Sequence, residues 1–463
     1  MVPAVKTQNQ AEQNQAEQNQ AEQGQTEQQH REIVMSTASK QHVEVVVIGG
    51  GQAGLSMSYV LQQAGLNHIV LEKNTILHGW KHERWDSFTL VTPNWQCDLP
   101  ALPYDGDDPH GFMKGQELVA YLERFASKVN APVREGVTVK QVVTDEQGLY
   151  HIATSDGDYT ADQVVVSSGG YHIPVIPRMA ERLPETVHQI HSAQYKHAAE
   201  LPDGGVLVVG SGQSGAQIAE DLHLEGRQVF LATGDAPRVA RFYRGKDVVE
   251  WLDDMGYYQI SVNEHPLGSN VRQNTNHYVT GRDGGRDIDL RQFAIEGMEL
   301  YGLMTGWDGT QLIFEPNLNH NLQSADDTYN NINTRIDAWI EKQGIETDIG
   351  PSVYRPVWQL PEERTRLNLA DSGISTIIWC IGFRPEFSWL DAAVFNGQGH
   401  PKHERGVTLQ PGLYFIGLPW LHTWGSGRFS GVRQDAEYLC ERLVSYQQQR
   451  DASQQQAAAP LPA

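Results

Sequence analysis

The chain has 463 residues, enough for two or three domains with a sizeable core. Lys and Arg total 35 against 57 Asp and Glu, a formal charge of −22, which excludes nucleic acid or an anionic membrane as the main partner, since both need clustered positive charge. The three scattered cysteines, Cys97, Cys380 and Cys440, exclude a disulfide framework, a CxxC pair and a four-cysteine zinc site.

Residues 1–40 begin with a Gln/Glu-rich repeat, AEQNQ at 11–15 and 16–20, then AEQGQ at 21–25. It has no large apolar side chains to bury, and a disordered tail is expected. It also lacks the apolar core of a signal peptide. No apolar run reaches the roughly 18–20 residues of a membrane span. With the cysteine usage, this fits a cytoplasmic protein. The Gln-rich end, 446–463, is expected to be disordered as well.

Between the tails, apolar runs alternate with helical patterns, the signature of parallel sheets with crossover helices. Val43–Ile48 is a β-branched run ending in Gly49-Gly50-Gly51; a helix at 55–63 and a strand at 67–71 follow. A near copy starts at Val206, with GSGQSG, a helix at 216–224 and a strand at 228–231. Residues 162–168 and 376–381 are further buried-strand candidates, and 301–314 reads as a hairpin around Trp307-Asp308-Gly309.

Gly49, Gly51 and Gly54 form G-x-G-x-x-G between strand and helix. The first glycine makes the tight turn, the second admits a pyrophosphate, and the third lets helix and strand pack. Glu72 ends the second strand, where a carboxylate accepts hydrogen bonds from the ribose of an adenine nucleotide. Gly210, Gly212 and Gly215 repeat the pattern. Here the second strand ends at Thr233 without an acid, and Arg238, Arg241 and Arg244 follow. Arginines suit a 2′-phosphate, so Thr233, Arg238 and Arg241 are the candidate contacts to NADPH, with Arg244 behind them. FAD at the first site and NADPH at the second is the economical assignment.

The expected fold is α/β with two Rossmann-like dinucleotide-binding domains, the NADPH domain (201–345) inserted into an FAD domain made of 41–200 and 346–445. This layout resembles the flavin-containing monooxygenases and their bacterial relatives. HGWKHERWDSFTLVTPNWQCDLP (78–100) resembles the stretch that runs under the flavin. HSAQYK (191–196) resembles the tail of the monooxygenase motif, with Glu185 and Val187 in place of its Phe and Gly; the Baeyer–Villiger ending is absent. IGFRPEFSWL (381–390) resembles a strand-end motif near the interdomain linker, and LYFIGLPWLHTWGSGRFSGVRQD (413–435) the last FAD-contacting strand, loop and helix start. RWDSFTLVTPNWQC with TGRDGGRDIDL resembles a bacterial group of flavin-dependent oxidoreductases associated with nitrilase-type gene clusters.

The resemblance implies an FAD- and NADPH-dependent monooxygenase acting on a small organic substrate with O2 through a C4a-(hydro)peroxyflavin. A reductase or oxidase without oxygen insertion, and a regulatory FAD-binding protein, stay open. Asn94 is the implied catalytic amide beside the flavin, or else a turn residue after Pro93. Trp80 and Arg84 are implied to shape the FAD site. Asp435 is implied near the ribityl chain or at a helix N-terminus. His422, Trp424 and Arg428 are candidates for the substrate pocket. His277 and the arginines of 280–286 lie on a loop that either reaches an anion or is held by salt bridges. The spacings of His188, His191 and His197 match no metal site. A homodimer is an open alternative.

Overall fold

The computed structural model describes residues 40–458. The N-terminal repeat and the last five residues lie outside the described residues.

The run predicted at 43–48 forms β1 (Gln41–Ile48), followed by α1 (Gln52–Ala64), β2 (His68–Leu71) and, much later, β3 (Asp158–Val166). β1 lies between β2 and β3, parallel to both. That central place explains a continuous apolar run rather than an alternating one: Val45, Val46 and Val47 are buried on both faces of the sheet.

The second unit starts at β4 (His188–His191) and continues through β5 (Gly205–Val209), α2 (Gln213–Leu224) and β6 (Val229–Ala232). It adds α3 (Val248–Asp254), β7 (Glu299–Tyr301), the long α4 (Leu318–Gln343) and β8 (Ile374–Trp379). Its five strands run in the order β4-β8-β5-β6-β7, every pair parallel. The expected hairpin is present at Met304–Trp307 and Gln311–Phe314. β9 (Leu413–Phe415) then returns to pair with β3, and α5 (Val432–Ala458) closes the first unit against α1.

Two expectations need correction. β4 and β8 were assigned to the FAD domain, yet both belong to the second sheet, where β8 is a central strand with Ile377, Ile378 and Trp379 fully buried. The chain therefore crosses between sheets before residue 188 and again after 379. Nor is the Gln-rich stretch from 446 a disordered tail, because α5 continues through it to Ala458. Gln447 is buried and donates to Asp162 at 3.1 Å, and Arg450 pairs with the same carboxylate at 2.8 Å. No helix among the described residues is long and apolar enough to cross a membrane.

Candidate functional site

The loop Gly49–Gly51 joins β1 to α1, and Gly210–Gly212 joins β5 to α2. Both open at the carboxyl ends of parallel strands, where open α/β sheets bind ligands. They face one shared cleft of about 1660 Å³, beyond the roughly 300–1,000 Å³ of a pocket for one small molecule.

The protein itself requires the outer glycines of each fingerprint. A Cβ on Gly49 would stand 2.8 Å from the Ser167 backbone, and one on Gly210 would stand 2.6 Å from the Cys380 carbonyl. Side chains at Gly54 and Gly215 would overlap the carbonyls of Gly49 and Gly210. The middle glycines differ. A Cβ on Gly51 meets nothing within 4 Å, and one on Gly212 meets only the Thr275 methyl at 3.6 Å. Their φ angles, −77° and −65°, suit any residue. Both are helix N-caps, a position that glycine suits, and the open space beside each also lets a ligand lie against the backbone at the start of α1 or α2.

Around the first loop, Glu72, Trp80 and Arg84 line the cleft. Glu72 is buried and accepts from Gly50 N at 2.6 Å and Asn74 N at 2.8 Å; each carboxylate oxygen keeps a lone pair. Trp80 Nε1 donates to Gln52 Oε1 at 3.0 Å. The Arg84 guanidinium lies 4.7 Å over the Trp80 ring and donates to the Glu83 carbonyl. Burial lowers its pKa, with Glu83 and Tyr171 opposing.

Six expected contacts turn away from the cleft. Arg238 is buried inside the second unit, 3.1 Å from Asp326 and 3.4 Å from Asp289, between the rings of Tyr329 and Tyr354. Burial alone would lower its pKa, but those two carboxylates hold it up. Arg241 pairs with Asp247 at 2.6 Å and donates to the Val91 carbonyl; Arg244 likewise pairs with Asp337. Freeing Arg241 for a phosphate would strand buried Asp247, and freeing Arg238 would take one of two cations from buried Asp326. Thr233 points inward, its hydroxyl donating to Tyr301 O at 2.9 Å. Asn94 is 3% exposed, and its amide is spent on the chain: Nδ2 donates to Asp108 O at 2.9 Å and Oδ1 accepts from Met113 N at 2.7 Å. It is the turn residue of the two readings. Asp435 lies buried in the first turn of α5 near Arg405, and burial raises its pKa while Ser426 and Arg405 oppose.

The loop at 280–286 is held by salt bridges: Arg282 pairs with Asp221 at 2.7 Å and Arg286 with Glu220 at 3.2 Å, both acids on α2. The HSAQYK segment joins the two units. Tyr195 donates to Asp221 at 2.7 Å, and Lys196 donates to the Arg84 carbonyl at 2.9 Å.

The structure adds a residue that sequence reasoning missed. Gln96, two positions after Asn94 in the same short 3-10 turn, lines the cleft, and its buried Oε1 has no partner. The sequence offered only its closeness to Asn94. The loop around residues 256–277 covers the cleft from the second unit, with Val262 N donating to His422 O at 2.6 Å and Arg272 Nε to Trp420 O at 3.0 Å. On it His277 lines the cleft, and burial pushes its pKa down to about 4.

The pyridine nucleotide-disulphide oxidoreductase family pattern matches residues 46–281, half of the chain. An uncharacterized CzcO-like oxidoreductase of Geobacillus kaustophilus (strain HTA426) is 31% identical over 88% of this chain and all of its own length. A probable indole-3-pyruvate monooxygenase of Arabidopsis thaliana is 30% identical over 38% of this chain and 43% of its own. Among solved structures, a flavin-containing monooxygenase from Stenotrophomonas maltophilia shares the fold, with a TM-score of 0.59 at 20% identity, covering 88% of this chain and 99% of that one. With its paired glycine loops, the chain belongs to the pyridine nucleotide-disulphide oxidoreductase family, as a CzcO-like oxidoreductase.

Proposed function

We propose that the chain is an FAD- and NADPH-dependent monooxygenase of a small organic substrate, with FAD at the Gly49 loop and the nicotinamide nucleotide at the Gly210 loop. The observation that carries this reading is the pair of middle glycines, Gly51 and Gly212, which leave the backbone open at two helix starts facing the same cleft. Glu72 supports FAD at the first loop: its free lone pairs suit ribose hydroxyls. At the second loop no arginine follows β6 into the cleft, while the exposed Asp235 does. The coenzyme preference is therefore expected to be small, below about tenfold, since no charge-assisted bond from Arg238 or Arg241 reads the 2′-phosphate.

When bound, FAD supplies hydride acceptance and O2 chemistry, which amino acid side chains lack. The chain's own residues position and shield. The starts of α1 and α2 direct backbone N–H groups at pyrophosphates. Gln96 offers an unpaired amide oxygen inside the cleft, and the loop at 256–277 packs over the cleft. A dithiol route is not supported, because the three cysteines are buried and free. Burial pushes Cys97 up to about 12 and Cys440 up to about 11, and raises Cys380 further, so none is a thiolate near neutral pH.

The test is the fate of oxygen in purified, FAD-loaded enzyme turning over NADPH. Product carrying an atom from labelled O2 is expected with a coupled substrate. Oxygen recovered wholly as hydrogen peroxide across a broad substrate panel makes it an oxidase-like reductase, and no NADPH oxidation makes it a binding protein.

A further inference from the structure

One corner of the cleft carries positive charge without a counter-ion. Arg428 is partly buried between the C-terminal loop and the covering loop of the second unit. Its Nη2 donates to Asn276 Oδ1 at 2.8 Å, its Nη1 donates to the Trp424 carbonyl, and its guanidinium lies 4.1 Å over the Trp424 ring. It has no carboxylate within ion-pair distance among the described residues. A desolvated arginine without an acid is costly unless an anion joins it.

Arg335 supplies a second cation. It lies on α4, exposed to the cleft, also without an ion-pair partner among the described residues. Both charges act on the Tyr257 hydroxyl: burial pushes its pKa up, while Arg335 and Arg428 pull it back. The nearby acids are otherwise engaged. Glu250 pairs with His110, Asp254 with Lys246, and Asp253 accepts from Gln259. The walls of this corner are apolar and flat: Val249 and Leu252 from α3, then Tyr257 and Tyr258, with Tyr258 4.4 Å from the Trp424 ring.

We propose that this corner binds an aromatic carboxylate as substrate, the anion on Arg428 with Arg335 beside it and the ring against Tyr257, Tyr258 and Leu252. Planar bidentate pairing suits a carboxylate on a guanidinium, and the aromatic walls suit a flat apolar body. A coenzyme phosphate shares the anionic chemistry. It needs no aromatic walls, and Arg335 stands among those walls rather than at a glycine loop. The proposal rests on the cleft being the substrate site of the reading above.

The test is calorimetric titration of the full-length, FAD-loaded protein with 3-phenylpropionate, its neutral amide, inorganic pyrophosphate and NADP⁺. The carboxylate is expected to bind at least about tenfold tighter than the amide, and Arg428→Gln to erase that preference while moving NADP⁺ affinity by less than about threefold. Equal affinities for acid and amide in the unmutated protein, or no binding of the acid up to about 10 mM, overturn the proposal. So does an Arg428→Gln variant that loses NADP⁺ or pyrophosphate and keeps the acid. If Arg428→Gln fails to hold flavin, Arg335→Gln is read in its place, with a loss of at least about threefold in acid but not amide affinity expected and an unchanged acid affinity contradicting the proposal. Flavin content and NADPH-driven bleaching of the same preparation report separately on the enzyme reading, so the two can fail independently.

Discussion

Arg238 holds Asp289 and Asp326 inside the second unit, and this sets what its removal does. Arg238→Ala leaves buried Asp326 with Arg291 alone and partly exposed Asp289 without its cation, so a loss of about 1–3 kcal/mol is expected in urea denaturation. The ratio of kcat/KM for NADPH over NADH should not move in the folded variant; a selective loss of NADPH would restore the arginine to the coenzyme. Asp235 should move that ratio, because its carboxylate stands at the end of β6 in the cleft. Asp235→Asn removes a charge facing any 2′-phosphate and is expected to shift the ratio several-fold toward NADPH. An unchanged ratio would place the ribose elsewhere. Asn94 and Gln96 make a matched pair. Asn94→Ala unpairs the buried Met113 N–H, at a cost of about 1–3 kcal/mol, with little effect on the flavin spectrum. Gln96→Leu should spare stability and alter the flavin spectrum and the yield of peroxide; the opposite pattern would return the role to Asn94. The glycines were legible because strand, turn and helix are neighbours in sequence. The fates of Arg238, Thr233 and Asn94 were not, because their partners Asp326, Tyr301 and Met113 come from other segments.

Among the elements, α5 departs most from its composition. Its second half is a Gln-rich run with few apolar residues, which reads as disorder. What holds it is polar and distant in sequence: Gln447 bonds to Asp162 and Gln163, and Arg450 pairs with Asp162, both partners lying on β3, the strand beside β9. Truncation after Ser445 is therefore expected to cost about 2–4 kcal/mol, from a partly buried ion pair and two hydrogen bonds. It should leave the glycine loops intact, so flavin still binds at low temperature. Unchanged thermal unfolding would show that the helix contributes nothing. The hairpin at 304–314 was legible from its Asp-Gly turn, and β1 and β5 from their β-branched runs. The packing of residues 446–458 was not, since no apolar periodicity marks it.

At the scale of the molecule, two parallel sheets set their glycine loops across a single cleft, and the units are joined where Lys196 of the HSAQYK segment donates to the Arg84 carbonyl and Ser87 donates to Asp221. The number of units was legible from the repeated fingerprint. Their limits were not: β4 and β8 lie far apart in sequence, and only their pairing reveals one sheet. The account turns on Gly51 and Gly212 being glycine for the sake of ligands and not for folding. A Cβ at either position fits the chain, as one at Gly51 meets nothing and one at Gly212 makes ordinary contact with Thr275. The decisive measurement is the flavin content of purified Gly51→Val, read beside Gly212→Val and against deflavinated parent protein for stability. Gly51→Val is expected to be colourless yet within about 1 kcal/mol of the deflavinated parent, the cost of valine at a helix N-cap, and Gly212→Val to stay yellow and be reduced by dithionite but not by NADPH. A Gly51→Val protein that keeps its flavin and is still reduced by NADPH would contradict it.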